Sequence, residues 1–292
     1  MNVSGAPSAY ATMCAPGITS NCLVNNAWGT TVKGVVFDGN AAYDALQMTV
    51  ERRSSPGLFA RFNYTYAHCW EDAADNLAGG EANGGSAAWA PTRDHRANWH
   101  RCSYMGNHAA NLSLTYDFPF GRVVQARLAK ALLSDWQITS LTSIASGVPF
   151  DVRAGSNTAR TMPSGNGNAH PDWVAGCNPE NAINPHNPTN YIKTSCFALP
   201  VAGYLGDVEP LPLLAPATWT TDASLKRNIK VSERMGFQVT ADVFNIFNRT
   251  NFAPAASVNV FTATGAVNTT AGQITRTIGT SRQMQFGIRF EF

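Results

Sequence analysis

Apolar and polar residues alternate strictly along several stretches of about ten residues, the pattern of a β-strand with one apolar and one polar face. The clearest stretch is the last one, residues 282–292. Its apolar face carries Met284, Phe286, Ile288, Phe290 and Phe292, and its polar face carries Gln283, Gln285, Arg289 and Glu291. The alternation predicts a strand whose apolar face meets either lipid or a protein core.

The same alternation recurs in earlier parts of the chain. It is clear in residues 58–66, 110–118, 219–229 and 237–247, and weaker in 43–53 and 132–152. We count roughly eight to ten strands, each near the length that a tilted strand needs to cross a bilayer. The sequence therefore predicts an all-β, antiparallel, outer-membrane-type β-barrel or partial barrel.

The connections between these strands differ greatly in length. Residues 54–57 and 231–235 form short turns, whereas about 71–96 and 154–218 are long and rich in Gly, Asn and Pro. Short turns on one rim and long extracellular loops on the other are typical of outer-membrane barrels. In a compact soluble domain, a connection as long as the second would be unusual. We therefore expect a barrel segment over residues 41–292, preceded by a loop or partial strand over 1–40.

Composition and charge exclude some kinds of binding partner and membrane contact. Of the 292 residues 44% are hydrophobic and 14% charged, with a formal net charge of +2. Lys and Arg form no basic run, which argues against a nucleic-acid partner. No stretch approaches the roughly 18 consecutive apolar residues of a membrane-spanning helix. If the chain contacts a membrane, it does so through strands.

Six cysteines fall into three local pairs within loop-like sequence, and an even number in loops favours disulfides and an oxidising compartment. The candidate pairs are Cys14 with Cys22, Cys69 with Cys102, and Cys177 with Cys196. The amino terminus, however, has neither the basic nor the apolar region of a secretory signal. We therefore expect Met1 to be an internal start, and the chain to be the carboxy-terminal part of a longer exported protein.

Five segments, in this order, resemble the carboxy-terminal barrel half of TonB-dependent receptors of the Oar-like type: residues 42–69, 108–121, 132–152, 222–252 and 282–292. The most specific are WQITSLTSIASGVPFDV and ADVFNIFNRTNF. The resemblance implies a barrel of about 22 strands closed by an amino-terminal plug. It also implies import driven by an energy-coupling TonB-type protein that grips an amino-terminal box.

The resemblance also sets the expected partners and location. The chain would lie in the outer membrane of a Gram-negative-type bacterium, in contact with outer-membrane lipid. The plug, the first half of the barrel and the coupling box have no counterpart in its sequence. Contact with the coupling protein would therefore pass only through that absent part.

We expect no catalytic residues, no cofactor and no metal site. The histidines near the second cysteine pair have none of the usual zinc spacings: they are His68, His95, His100 and His108. Two more, His170 and His186, are expected to face solvent in a polar loop. Ser146 and Ser164 lack the Gly-x-Ser-x-Gly context of a nucleophile elbow.

Two tryptophans lie deep within the long loops, Trp89 and Trp173. The sequence leaves open whether they contact a ligand or pack within the loops.

The resemblance implies binding and import of a substrate too large for porins, without chemistry on it. One alternative is an autonomous secreted or surface β protein that binds a polymer or a cell surface, with its apolar strand faces in a sandwich or oligomer. A loop-borne hydrolase is the other.

Overall fold

A computed structural model describes residues 39–54, 57–72, 99–119, 134–156, 169–202, 204–232 and 235–292. Two short 3-10 helices, Pro188–Asn190 and Thr194–Cys196, accompany the strands. In these residues no helix is both long and apolar enough to span a membrane. The strands are β1 (Ala41–Ser54), β2 (Leu58–Glu71), β3 (His100–Arg101), β4 (His108–Asp117), β5 (Trp136–Ala145), β6 (Pro149–Phe150), β7 (Asp172–Trp173), β8 (Phe197–Ala198), β9 (Leu213–Leu214), β10 (Thr218–Lys230), β11 (Gly236–Phe244) and β12 (Gln283–Glu291).

One antiparallel sheet holds all the long strands in the order β1-β2-β4-β5-β10-β11-β12, with β3 beside β2. The predicted all-β antiparallel class is thus confirmed, and the sheet has eight strands in the described residues. Seven of them have nine to fourteen residues. In this part of the chain the sheet is open, with β1 and β12 at its edges.

Two predicted strands were too long. The expected strand over 132–152 runs from Trp136 to Ala145, because the chain beyond it leaves the large sheet and pairs as β6 with β9. The expected strand to Phe247 ends at Phe244, because Asn245 takes a positive φ of 49° that is incompatible with a strand.

On one side of the sheet the strand register brings many apolar side chains together, with Thr142 and Thr221 among them. Val50 lies opposite Phe62, which lies opposite Leu112. We call this side the apolar face; its members include Leu46, Met48, Val50, Phe62, Leu112, Leu114, Leu225, Val239, Met284, Phe286 and Ile288. Phe286 and Ile288 are 78% and 77% exposed, so no protein core covers this part of the face in the described residues.

The opposite side of the sheet, which we call the polar face, carries paired polar groups. The Arg61 guanidinium donates to Glu51 at 2.7 Å, and the Ser224 hydroxyl donates to Asp242 at 2.5 Å. The amide of Gln137 donates to Asp117 at 2.7 Å. Each pair joins neighbouring strands, so the polar face holds a ladder of cross-strand interactions.

The connections separate onto two rims. The turns between β1 and β2 and between β10 and β11 lie on one, the turn rim, where β4 also ends and β5 begins. The connections 72–107, 146–217 and 245–282 all leave the other, the loop rim. The second of these loops was predicted, over 154–218, and the third was not. Most of the predicted loop 71–96 lies outside the described residues.

Candidate functional site

The described residues of the loops 146–217 and 245–282 fold together around one shared hydrophobic core on the loop rim. We call this unit the cap. Its buried side chains are Phe150, Val152, Ala154, Ala169, Ala182, Tyr191, Ile192, Cys196, Phe197, Val208, Leu213 and Ala215 from the first loop, and Ala255, Val260, Phe261, Ala271 and Ile274 from the second. Because the core draws on both, neither loop can bury its apolar residues alone.

Backbone pairing holds the cap together. Within the first loop β6 pairs with β9 and β7 pairs with β8. Between the loops, the Arg153 amide donates to the Val258 carbonyl at 3.0 Å, and the Val260 amide donates to the Arg153 carbonyl at 2.8 Å. The two loops therefore form one structural unit.

Two of the three predicted disulfides are confirmed. Cys69 is bonded to Cys102, with Cα atoms 5.4 Å apart, and ties the end of β2 to the segment after β3. The bond between Cys177 and Cys196, Cα atoms 5.5 Å apart, closes a loop within the cap. The third predicted pair, Cys14 and Cys22, lies outside the described residues.

Trp173 packs within the cap. Its ring lies 5.0 Å from that of Phe197, its backbone amide donates to Asp207 at 2.6 Å, and its indole N–H donates to Glu209 at 3.2 Å. The ring remains half-buried, so part of it is accessible beside two carboxylates. Trp89, the other tryptophan of the predicted ligand surface, lies outside the described residues.

A buried charge cluster lies at the centre of the cap. Asp151 accepts from Arg153 Nε at 3.0 Å and contacts His170 Nε2 at 2.9 Å. Burial by itself raises the pKa of Asp151, but His170 and Arg153 outweigh it and hold that pKa at about 2. The carboxylate is therefore ionised throughout the physiological range, and it joins two parts of the first loop.

His170 is 1% exposed, so the expectation that it faces solvent was wrong. Its ring nitrogens face two acceptors, Asp151 Oδ1 and the Val208 carbonyl, the latter at 3.0 Å. Both ring nitrogens therefore face groups of the cap rather than solvent. The geometry suits a structural role rather than contact with a substrate. His186, in contrast, is exposed as expected.

The remaining described histidines fall into two settings. His100 is 2% exposed, and its Nδ1 lies 2.8 Å from the Arg101 carbonyl. His68 and His108 are exposed at the loop rim and contact tyrosine hydroxyls, Tyr66 at 2.8 Å and Tyr64 at 2.9 Å. In the described residues no group of three His, Cys, Asp or Glu side chains is placed to hold a metal.

This architecture combines strands of membrane-crossing length, an exposed apolar face and a rim of long loops. Residues 2–285 match a family model described as an outer membrane beta barrel domain. The chain belongs to this family. No curated protein and no solved structure matches the chain. Membership places the protein in the outer membrane, so the apolar face contacts lipid and the loop rim is extracellular.

Within this barrel domain, aromatic side chains mark both edges of the lipid-facing band. Near the loop rim lie Tyr66, whose ring is 5.0 Å from that of His108, and Trp219. Near the turn rim, Arg227 lies 5.3 Å from the Trp136 ring. Trp219 and Arg227 are about 27 Å apart along β10, and a strand tilt of about 40° reduces this to about 20 Å of membrane height, near that of the apolar band of such barrels.

We expect the loop rim to lose stability in two steps as the pH falls, first at His100 in β3 and then at Asp151 in the cap. Burial lowers the pKa of His100, so its contribution is present above its ordinary value of 6.5 and lost as the pH falls below it. The contribution of Asp151 is present above 3.8 and lost between 3.8 and about 2. That second loss amounts to about 2 kcal/mol.

Hydrogen exchange of amides in residues 99–107 and 169–202, followed from pH 7.5 to about pH 2, measures both losses. His100→Gln should remove the first step and keep the second. An unchanged first step in that variant would show that another group causes it.

Proposed function

We propose that the chain is the carboxy-terminal wall segment and part of the extracellular surface of a TonB-dependent receptor. This receptor binds a substrate too large for porins and imports it without chemical change. The observation that carries the proposal is the cap, a folded and disulfide-bonded unit on the extracellular rim. A rigid scaffold that presents such loops is a common arrangement for ligand binding.

The directions of the strands support a barrel that needs further strands to close. The seven long strands alternate in direction, so β1 and β12 both run from the loop rim to the turn rim. If β12 closed onto β1, of this chain or of a second copy, the pair would be parallel. Outer-membrane barrels of single chains are antiparallel with an even strand number, so an odd number of further strands is needed between them. A barrel of about 22 strands, as in plugged transporters, meets this condition.

The polar face supports a lumen occupied by protein. Its ion pair between Glu51 and Arg61 and its hydrogen bond between Ser224 and Asp242 lie on the side away from lipid. In a receptor of this type these groups would contact the plug, and the coupling protein would act through the plug. We assign no reaction to the chain, since His170 has both ring nitrogens engaged within the cap.

Uptake in the source cells tests the proposal. Cells with and without the gene are given labelled ferric chelates, oligosaccharides and peptides, with and without a protonophore. We expect one class of compound to enter only when the gene is present and the membrane is energised, while surface binding survives the protonophore. Binding without any protonophore-sensitive uptake would instead favour the surface-binding protein. Turnover of a compound at the surface would favour the hydrolase.

A further inference from the structure

Arginine and aromatic side chains meet where the apolar face ends at the loop rim, beside β10 and β12. Trp219 lies near the start of β10, and the Phe247 ring is 5.7 Å from its ring. The guanidinium of Arg249 lies over the same indole, 5.1 Å from the ring centroid. Phe247 is 66% exposed, so this cluster is a surface feature rather than part of the cap core.

A second arginine joins this cluster from the end of the third loop. Arg282 directly precedes β12 and has the same side-chain parity as Met284 and Phe286, which lie on the apolar face. Its backbone amide donates to Asn248 Oδ1 at 3.0 Å, and its guanidinium approaches the Ile246 carbonyl at 3.5 Å. Arg282 therefore lies beside the segment that carries Phe247 and Arg249.

A buried asparagine fixes both segments. The Asn245 side-chain amide donates to the carbonyls of Arg249, at 2.9 Å, and Thr280, at 3.1 Å. Its Oδ1 accepts from the Arg249 amide at 2.9 Å. Asn245 is 6% exposed, so the backbone that presents the two arginines is held by satisfied buried hydrogen bonds.

The third loop carries charge of one sign, and the Asp222 carboxylate that accepts from its Asn245 amide at 2.8 Å belongs to the polar face of β10. Residues 245–282 include Arg249, Arg276 and Arg282 but no Asp or Glu. In the part of the chain that the structure describes, none of these three forms a salt bridge. All three are exposed. The surface is thus positively charged and borders a face that contacts lipid.

We infer that this surface, Trp219, Phe247, Arg249 and Arg282, binds the phosphate groups of phosphorylated glycolipids in the outer leaflet. The surface lies at headgroup depth, because it directly borders the lipid-facing band on the extracellular side. Aromatic side chains prefer this interface, and guanidinium groups bind phosphate in a bidentate way. Continuity with the apolar face selects a lipid over a free anion, since acyl chains can follow Met284 and Phe286 downwards. The inference depends on outer-membrane location and not on import.

The full chain in detergent micelles tests it by titration with diphosphoryl lipid A and with dephosphorylated lipid A of the same acyl chains. We expect at least tenfold tighter binding of the phosphorylated lipid. The double variant Arg249→Gln, Arg282→Gln should lose about tenfold or more of the affinity for that lipid only. Arg289→Gln, an exposed arginine on the polar face, is the matched control and should change the affinity less than twofold.

Three outcomes would overturn the inference. The first is that the wild type binds the two lipids with equal affinity. The second is that the double variant keeps its affinity for the phosphorylated lipid while its heat-modifiable gel mobility shows that it is folded like the wild type. The third is that millimolar inorganic phosphate displaces lipid A completely. The last would indicate a site for free anions. If the double variant fails to fold, the difference between the affinities of the wild type for the two lipids still tests the inference. Phosphorylated glycolipid that co-extracts with the protein from native outer membranes, measured by mass spectrometry, should fall in the double variant.

Discussion

Asp151→Asn is expected to destabilise the cap by about 3–5 kcal/mol, the usual cost of removing one partner from a buried ion pair. Asp151 is 2% exposed and faces Arg153 at 3.0 Å and His170 at 2.9 Å. Without the carboxylate, the Arg153 guanidinium would lose its buried counter-charge, and the His170 ring would lose a contact at 2.9 Å. Hydrogen exchange and limited proteolysis of residues 146–217 measure the loss, because the cap has its own core and can open without the sheet.

Glu180→Gln is the matched control, since Glu180 is an exposed carboxylate of the same loop. It should change cap stability by no more than about 0.5 kcal/mol. Equal protection of the cap in Asp151→Asn and Glu180→Gln would mean that the buried cluster does not stabilise the cap. It would also remove the basis for the lower of the two pH steps.

Leu112→Arg should destabilise the folded protein in a lipid bilayer by about 2–4 kcal/mol, whereas Ser113→Arg should have little effect. The two residues are neighbours in β4, a central strand, and their side chains lie on opposite faces. Leu112 is on the apolar face, 41% exposed, where a guanidinium would enter hydrocarbon. Ser113 is on the polar face, beside Arg61 and Leu141.

Reversible folding into liposomes, titrated with guanidinium chloride, gives the two free energies. The pair controls for strand propensity and for the size of the new side chain, because only the face differs. A larger loss for Ser113→Arg than for Leu112→Arg would reverse our assignment of the lipid-facing side. Similar losses would indicate that both faces are buried in protein.

The strands and their faces could be predicted because their pattern is local. Period-two alternation, as in Met284 to Phe290, can be recognised from neighbouring residues alone. It predicted the strands of the sheet, its apolar face and the turn at residues 231–235. Loop composition and spacing likewise indicated the pairs Cys69 with Cys102 and Cys177 with Cys196. The end of β5 could not be predicted, since it depends on the pairing of β6 with β9. The end of β11 depends on the backbone of Asn245.

The cap and its charge cluster depend on contacts between residues far apart in sequence. The composition of residues 154–218 predicted a polar, irregular loop, yet this loop shares a core with residues 255–274. No periodic pattern in the sequence indicates that second segment. For the same reason His170 was expected in solvent, although Asp151 and the Val208 carbonyl enclose it. Alternation along a strand is fixed by the backbone repeat, so the sequence alone determined the lipid-facing sheet. Only tertiary structure decided the cap, because its core forms when two separate loops bury apolar side chains that neither can cover alone.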